Sequence, residues 1–302
     1  MAFAKRREYL FLYTVKDANP NGDPLNANHP RFDAETGRIM VSDVRIKRTI
    51  RDQWLREGLD VFVDGAPKTL NTRINELKSK LKVNTGKEAL QKCIDTRLFG
   101  VTFALGNEAF SWTGPVQFKW GRSLHQAKAE LIQGTAAFAT KDQSEQRSFR
   151  NEYIVPFVLL GVYGIANQYA SVETGATDED VDKIADGLWE GTINLITRSK
   201  VGHVPRLLME IIYQEGFSGA TGSLDEKVNL LAPDGRAFSV EEELTIRSPK
   251  DFMVDISDIS KRLAGLKNYI ETVRICLDNE LQLKGMDELK TVFGQKLVEQ
   301  MR

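Results

Sequence analysis

The alternation of apolar and polar positions divides the chain into strands, helices and one long polar interruption. Glu8–Lys16 (EYLFLYTVK) is aromatic or aliphatic on both faces, the pattern of a strand in the middle of a sheet. Asp17–Arg38 follows, with Pro20, Pro24 and Pro30 set among nearly every common turn former, and predicts an irregular exposed loop. A structureless stretch of roughly 20 residues is uncommon in a compact domain and is usually functional. Ser42 then offers an N-cap, and a helix from Asp43 to Glu57 is stopped by Gly58.

Beyond that helix, Leu59–Val63 suits a short strand, while Thr69–Lys82 and Gly86–Ile94 carry amphipathic helical spacing. Pro115–Arg122 alternates, with Val116, Phe118 and Trp120 on one side and Gln117 and Lys119 on the other, and predicts a half-buried strand. Leu131–Thr140 and Arg147–Tyr153 flank the polar tip KDQSEQ, which suits a projecting β-hairpin. Asn151–Ile165 is apolar enough to return to the core. Thr177 with Asp180 forms a capping box ahead of the stripe Val181, Ile184, Leu188 and Leu195, and Pro205–Gln214 is a further buried strand. After the Gly-rich link GFSGATG, helices are expected near Ile256–Val273 and Met286–Met301.

The order over Glu8–Gln214 is that of an α+β chain with a β-α-β-β-α-β sheet and a large insertion. Such sheets commonly host RNA-binding domains. The expected division is residues 1–215, with an inserted helical segment at about 66–96 and the hairpin at about 125–155, followed by a mostly helical region at 216–302.

Composition narrows the function. The 302 residues are 41% hydrophobic and 27% charged, with a formal net charge of −1, so any polyanion must be held by a local groove rather than by an overall positive field. Two cysteines and three histidines lie scattered, which predicts neither a disulfide framework nor a soft-ligand metal site, and no cofactor is expected. No apolar run approaches the roughly 20 residues that span a bilayer and no leader pattern opens the chain, so a cytoplasmic protein with no membrane partner is expected. P-loop, nucleophile-elbow and H-E-x-x-H spacings are missing.

Against that neutral balance, Arg45, Lys47, Arg48 and Arg51 crowd the start of the first helix. Cations there oppose the helix dipole, at roughly a few tenths of a kcal/mol each unless an anion sits nearby. At about 100° per residue, Ile46, Ile50 and Trp54 form a docking stripe, while Lys47, Arg48, Arg51 and more peripherally Arg45 fill the outward arc. Free N–H groups beside Arg forks suit phosphate. The plainer reading is a solvated basic face.

The unit NPNGDP…PRFDAETGR…VSDVRIKRTIRD, together with GPVQF-x-x-GRS at Gly114–Ser123 and R-x-E-Y-I-V-P-F at Arg150–Phe157, resembles the backbone subunit of type I CRISPR Cascade complexes, the Cas7 family of the RAMP superfamily, most closely its type I-B form. The resemblance touches about half of the chain. It implies a modified RRM-like palm, the hairpin as a thumb, helical flanking regions, and a non-catalytic protein that polymerises along CRISPR RNA. The implied partners are the guide, neighbouring copies of the chain, other Cascade subunits and a target DNA strand, in antiviral defence. It also places Arg45, Lys47, Arg48 and Arg51 where the family cradles guide phosphates.

Reading phosphates suits a guide whose spacer varies at every position, since base-edge contacts would defeat its purpose. Gln117, Lys119 and Arg122 are secondary candidates on an outward strand face, beside the reading that this face is solvated. Phe138 is the first choice for an apolar wedge against bases, ahead of Leu131 and Phe149, with core packing as the alternative. The loop acids Asp17, Asp23 and Asp33 raise a rival, a metal-dependent endoribonuclease cutting target RNA, because related type III subunits cut with a loop aspartate. Asp in such a loop is more often a turn former.

Overall fold

The computed structural model describes residues 2–135 and 149–301. Its organising element is the strand Arg7–Ala18, which lies at the centre of a ten-stranded sheet. One neighbour is the long strand Phe149–Ala166 and the other is His203–Tyr213, both antiparallel to it. Leu12 therefore stands opposite Gly161 on one side and Leu207 on the other. The sheet continues outward through Ile270–Leu277 to a parallel edge strand, Leu297–Met301. On the opposite flank it passes through Gly121–Ser123 and Arg38–Val41 to Phe32–Asp33.

Side chains alternate faces along the central strand, as period two requires. Tyr9, Phe11, Tyr13 and Val15 enter one core with Ile46, Ile50 and Trp54 from the helix Asp43–Arg56 and with Val181, Ile184 and Leu188 from the helix Asp178–Ile193. Leu10 and Leu12 enter a second core with Leu207, Met209, Phe252, Val254, Ile259 and Leu289. The sheet is thus covered on both faces, which explains why its central strand shows no polar side. The two helices approach closely because Gly187 and Gly191 face their neighbour. A Cβ at Gly187 would meet Ile50 Cγ2 at 2.7 Å, and one at Gly191 would meet the Thr49 carbonyl at 2.8 Å.

Ser42 caps the first helix through its side chain, and Thr177 with Asp180 forms the capping box of the second. Leu70–Leu81 and Gly86–Lys92 are helices, each with a threonine N-cap. Together with the hairpin Gly100–Leu105 and Glu108–Thr113 they enclose a small separate core of Ile74, Leu90, Phe103 and Trp112. The strand Glu130–Thr135 pairs with residues 149–154 of the long strand. Residues 136–148, and with them Phe138, lie outside the described residues.

Several expectations need correction. Leu59–Val63 forms no strand, because the N–H groups of Phe62 and Val63 are taken by the Asp95 carboxylate. Pro115–Arg122 is broken into Val116–Phe118 and Gly121–Ser123, so alternation fails at the break and Trp120 is 44% exposed. The region beyond residue 216 is not mostly helical. Ser257–Ala264 and Met286–Phe293 are short helices, while Ile270–Leu277 and Leu297–Met301 complete the main sheet. No helix among the described residues is long and apolar enough to cross a membrane.

Candidate nucleic-acid interface

The long polar loop is tied down at its start. Asn19 N–H donates to the Ser199 carbonyl at 3.0 Å, Lys16 N–H donates to Gly202 O at 3.1 Å, and Lys200 Nζ donates to Asn19 O. Asn19 Nδ2 reaches the Asn28 carbonyl at 2.7 Å, which folds the loop back on itself. Asn21 Oδ1 accepts both the Ser42 N–H and the Ser42 hydroxyl, at 2.9 and 3.0 Å. The loop is thereby fastened to the N-terminus of the first helix, where Ser42 Oγ accepts the Arg45 N–H.

These ties leave a cleft of about 400 Å³ between the loop, the helix N-terminus and the Ser199–Lys200 turn. Arg45 and Lys200 face it together with Asn19, Asn21, Asn151 and Tyr153. The Tyr153 ring packs against His29 with centroids 4.7 Å apart. Among the described residues, no carboxylate lies within ion-pair distance of Arg45 or Lys200, and Glu152 at the cleft wall is committed to Arg198 at 3.2 Å.

Electrostatically this is a site short of an anion. Arg45 Nε and Nη2, Asn19 Oδ1 and His203 Nε2 are buried and have no hydrogen-bond partner. Buried polar groups are nearly always satisfied, so four such atoms in one region require an explanation. Burial pushes Arg45 below its usual value. Burial, with the Arg45 charge beside it, lowers Lys200 to about 7, and burial with Lys200 and Arg45 nearby lowers His203 to about 3. A phosphate in the cleft would offset both positive charges.

The other helix cations do not form the free outward arc expected from spacing. Lys47 is 9% exposed; its ammonium donates to Gln117 Oε1 at 2.7 Å, lies 3.6 Å from Asp43, and stands over the Phe99 ring. Arg48 pairs with Asp52 at 2.5 Å and donates to Val63 O at 2.7 Å. Arg51 pairs with Asp95 at 2.8 Å, also against Phe99. Each carries a carboxylate that compensates it without any ligand, so the argument that these three require an anion fails. Arg45, which spacing placed at the margin of the arc, is the one brought to the cleft.

The secondary candidates are paired as well. Lys119 reaches Glu226 at 2.6 Å and Asp225 at 3.2 Å, and Arg122 lies 3.0 Å from Asp33. Leu131 is 49% exposed. Lys200, Asn19 and Tyr153 were not found from sequence. Lys200 reaches Arg45 only because the strand after it pairs with the first strand, Val15 standing opposite His203, a long-range register with no local signature.

The loop acids serve the loop. Asp23 Oδ1 accepts the Leu25 N–H and lies 3.7 Å from Arg31, while Asp33 Oδ1 accepts the Glu35 and Thr36 N–H groups. Hydrogen bonds from the Thr36 side chain, the Glu35 and Thr36 backbone and Arg122 hold Asp33 below the usual carboxylate range. Among the described residues no three His, Cys, Asp or Glu side chains are grouped to hold a metal.

A family model described as CRISPR-associated protein Cas7 matches residues 5–257. The chain belongs to the Cas7 family. A Cas7 protein of Haloferax volcanii is 28% identical over 319 residues, covering 95% of this chain and 91% of its own. The fold is shared with a chain of a CRISPR RNA-guided surveillance complex, pre-nicking, at TM-score 0.55 and 13% identity, covering 98% of this chain and 96% of that one. A chain of a second CRISPR RNA-guided surveillance complex aligns at TM-score 0.51 and 16% identity over 90% and 88%. The Cas7-like architecture is accordingly a mixed α+β one built on a large sheet.

Proposed function

We propose that this chain is the guide-binding backbone subunit of a Cascade surveillance complex. It holds CRISPR RNA by its phosphates, polymerises along the guide with other copies of itself, and presents the guide for pairing with a target DNA strand in antiviral defence. The sheet with its two packed helices is the palm, and the paired arms at Glu130–Thr135 and Phe149 onward are the base of the thumb.

The observation that carries this reading is the Arg45–Lys200 cleft, where two cations face one space, neither has a carboxylate partner among the described residues, and Arg45 Nε and Nη2 lack acceptors. A nucleic-acid backbone supplies the missing acceptors without regard to sequence, which a variable guide requires. The helix N-terminus adds oriented N–H groups and a favourable dipole. Lys47, Arg48 and Arg51 are assigned to bracing this helix. Asp23 and Asp33, both holding turns, support binding without cutting over the nuclease reading.

The test is co-expression of the tagged chain with a CRISPR array and the other Cascade subunits. Recovery of repeat–spacer RNA in helical particles with several copies of the chain is expected. Particles free of RNA, or holding one copy on each RNA, would contradict the backbone role.

A further inference from the structure

At the opposite side of the same loop, Trp120 stands out of the sheet. It lies in the break between Val116–Phe118 and Gly121–Ser123, outside both strands, and it is 44% exposed. The Arg31 guanidinium lies 5.7 Å from the Trp120 ring centroid. Arg31 is built in rather than trailing in solvent. Its N–H donates to Asn21 O at 3.0 Å and its carbonyl accepts the Met40 N–H at 2.8 Å. Its Nε is buried with no partner, and its nearest carboxylate contact, Asp23, is at a loose 3.7 Å. Arg122, two residues after Trp120, has a side chain 54% exposed beyond its single bond to Asp33.

An exposed indole costs burial free energy that a soluble fold ordinarily gains, and an Arg held over it leaves one ring face for a flat, electron-rich partner. A guanidinium over one ring face, with a second exposed arginine two residues along the chain, supplies the components of a platform for unpaired bases, the ring stacking on the base and the cations meeting the flanking phosphates. The placement agrees with the cleft. Asn21, which accepts the Arg31 N–H, also lines the Arg45–Lys200 cleft, so a strand seated there passes the loop that carries Arg31.

We infer that Trp120 is a stacking platform for an unpaired base of the bound RNA, with Arg31 and Arg122 contacting the adjoining phosphates. The inference rests on the guide-binding reading and adds a base contact that is blind to sequence, since every base has a π-face.

The chain reports on this directly. Of its four tryptophans, Trp54, Trp112 and Trp189 are 0%, 6% and 2% exposed, so Trp120 dominates the emission accessible to a soluble quencher. The purified full chain is titrated with oligoadenylate, and in parallel with inorganic polyphosphate, while binding is followed independently by anisotropy of end-labelled RNA. Oligoadenylate is expected to quench the acrylamide-accessible emission and polyphosphate to leave it unchanged. Trp120→Leu is expected to abolish the quench and weaken RNA binding roughly tenfold, with Trp120→Tyr retaining most of the affinity. RNA bound with unchanged emission, or Trp120→Leu binding like the parent, overturns the platform and leaves the guide-binding reading standing. No RNA binding by the parent chain overturns both.

Discussion

Arg51 Nε lies 2.8 Å from Asp95 Oδ2, a carboxylate with no solvent exposure that also accepts the N–H groups of Phe62 and Val63. This pair joins the first helix to the inserted helical segment. Replacing Asp95 by Ala leaves a largely buried guanidinium uncompensated and two N–H groups orphaned, and is expected to destabilise the fold by about 3–5 kcal/mol. Denaturant unfolding at neutral pH checks this. A loss under about 1 kcal/mol would mean the segment is held by apolar packing alone.

Glu8 is a second buried carboxylate with a structural task. Fully buried on the central strand, it accepts the Tyr163 hydroxyl at 2.5 Å, the Tyr213 hydroxyl, and the N–H groups of Thr221 and Gly222, both at 2.7 Å. It fastens the Gly-rich link to the sheet. Burial and the neighbouring Glu8 charge push both tyrosines well above their ordinary range, so the hydroxyls remain donors. Glu8→Ala removes an acceptor from four donors, of which Thr221 N–H keeps a bond to the Tyr213 hydroxyl, and is expected to cost roughly 3 kcal/mol, at about 1 kcal/mol or above for each stranded group. Faster proteolysis within residues 216–222 should accompany it; an unchanged cleavage pattern would contradict the fastening role.

Lys200 should make both stability and binding depend on pH. Its folded value, lowered from 10.5 to about 7, lies below that of the unfolded chain, so the unfolded chain carries the extra proton between those values. Stability therefore rises with pH across that window, and the penalty is fully present below about 7. A phosphate in the cleft favours the charged form, so RNA affinity should fall as pH rises from about 7 to about 9. Lys200→Gln is expected to raise the melting temperature at pH 6, weaken RNA binding roughly tenfold, and flatten its pH dependence. A variant that loses stability and keeps the parent pH profile would refute the assignment.

Local periodicity made one side of the first helix legible: the Ser42 cap and the stripe Ile46, Ile50 and Trp54 follow from neighbouring residues. The other side was only partly legible: Asp43 and Asp52 lie one turn from Lys47 and Arg48 and could have been read as their partners, whereas the remaining partners are distant in sequence. Asp95 and Gln117 meet the helix only after the inserted segment folds back, which gives Arg51 and Lys47 internal partners that spacing did not reveal. The C-terminal strands were hidden for a related reason. Ile256, Ile259 and Leu263 set a helical period that the same apolar residue types continue in sequence, yet the chain turns at Gly265 and Ile270–Leu277 pairs with His203–Tyr213. The loop acids were legible as turn formers, since an Asx turn is a two-residue matter.

The central claim is that Arg45 and Lys200, and not the paired cations beside them, hold the guide. The decisive measurement is the salt dependence of single-stranded RNA affinity for the parent chain, for Arg45→Gln with Lys200→Gln, and for Arg48→Gln with Asp52→Asn, a double change that removes an ion pair without altering net charge. The account predicts that the first double variant binds at least tenfold more weakly, with a log–log slope shallower by roughly 1.4, about 0.7 for each lost phosphate contact. The second should bind like the parent. Parent affinity and slope in the first variant, with loss in the second, would contradict it.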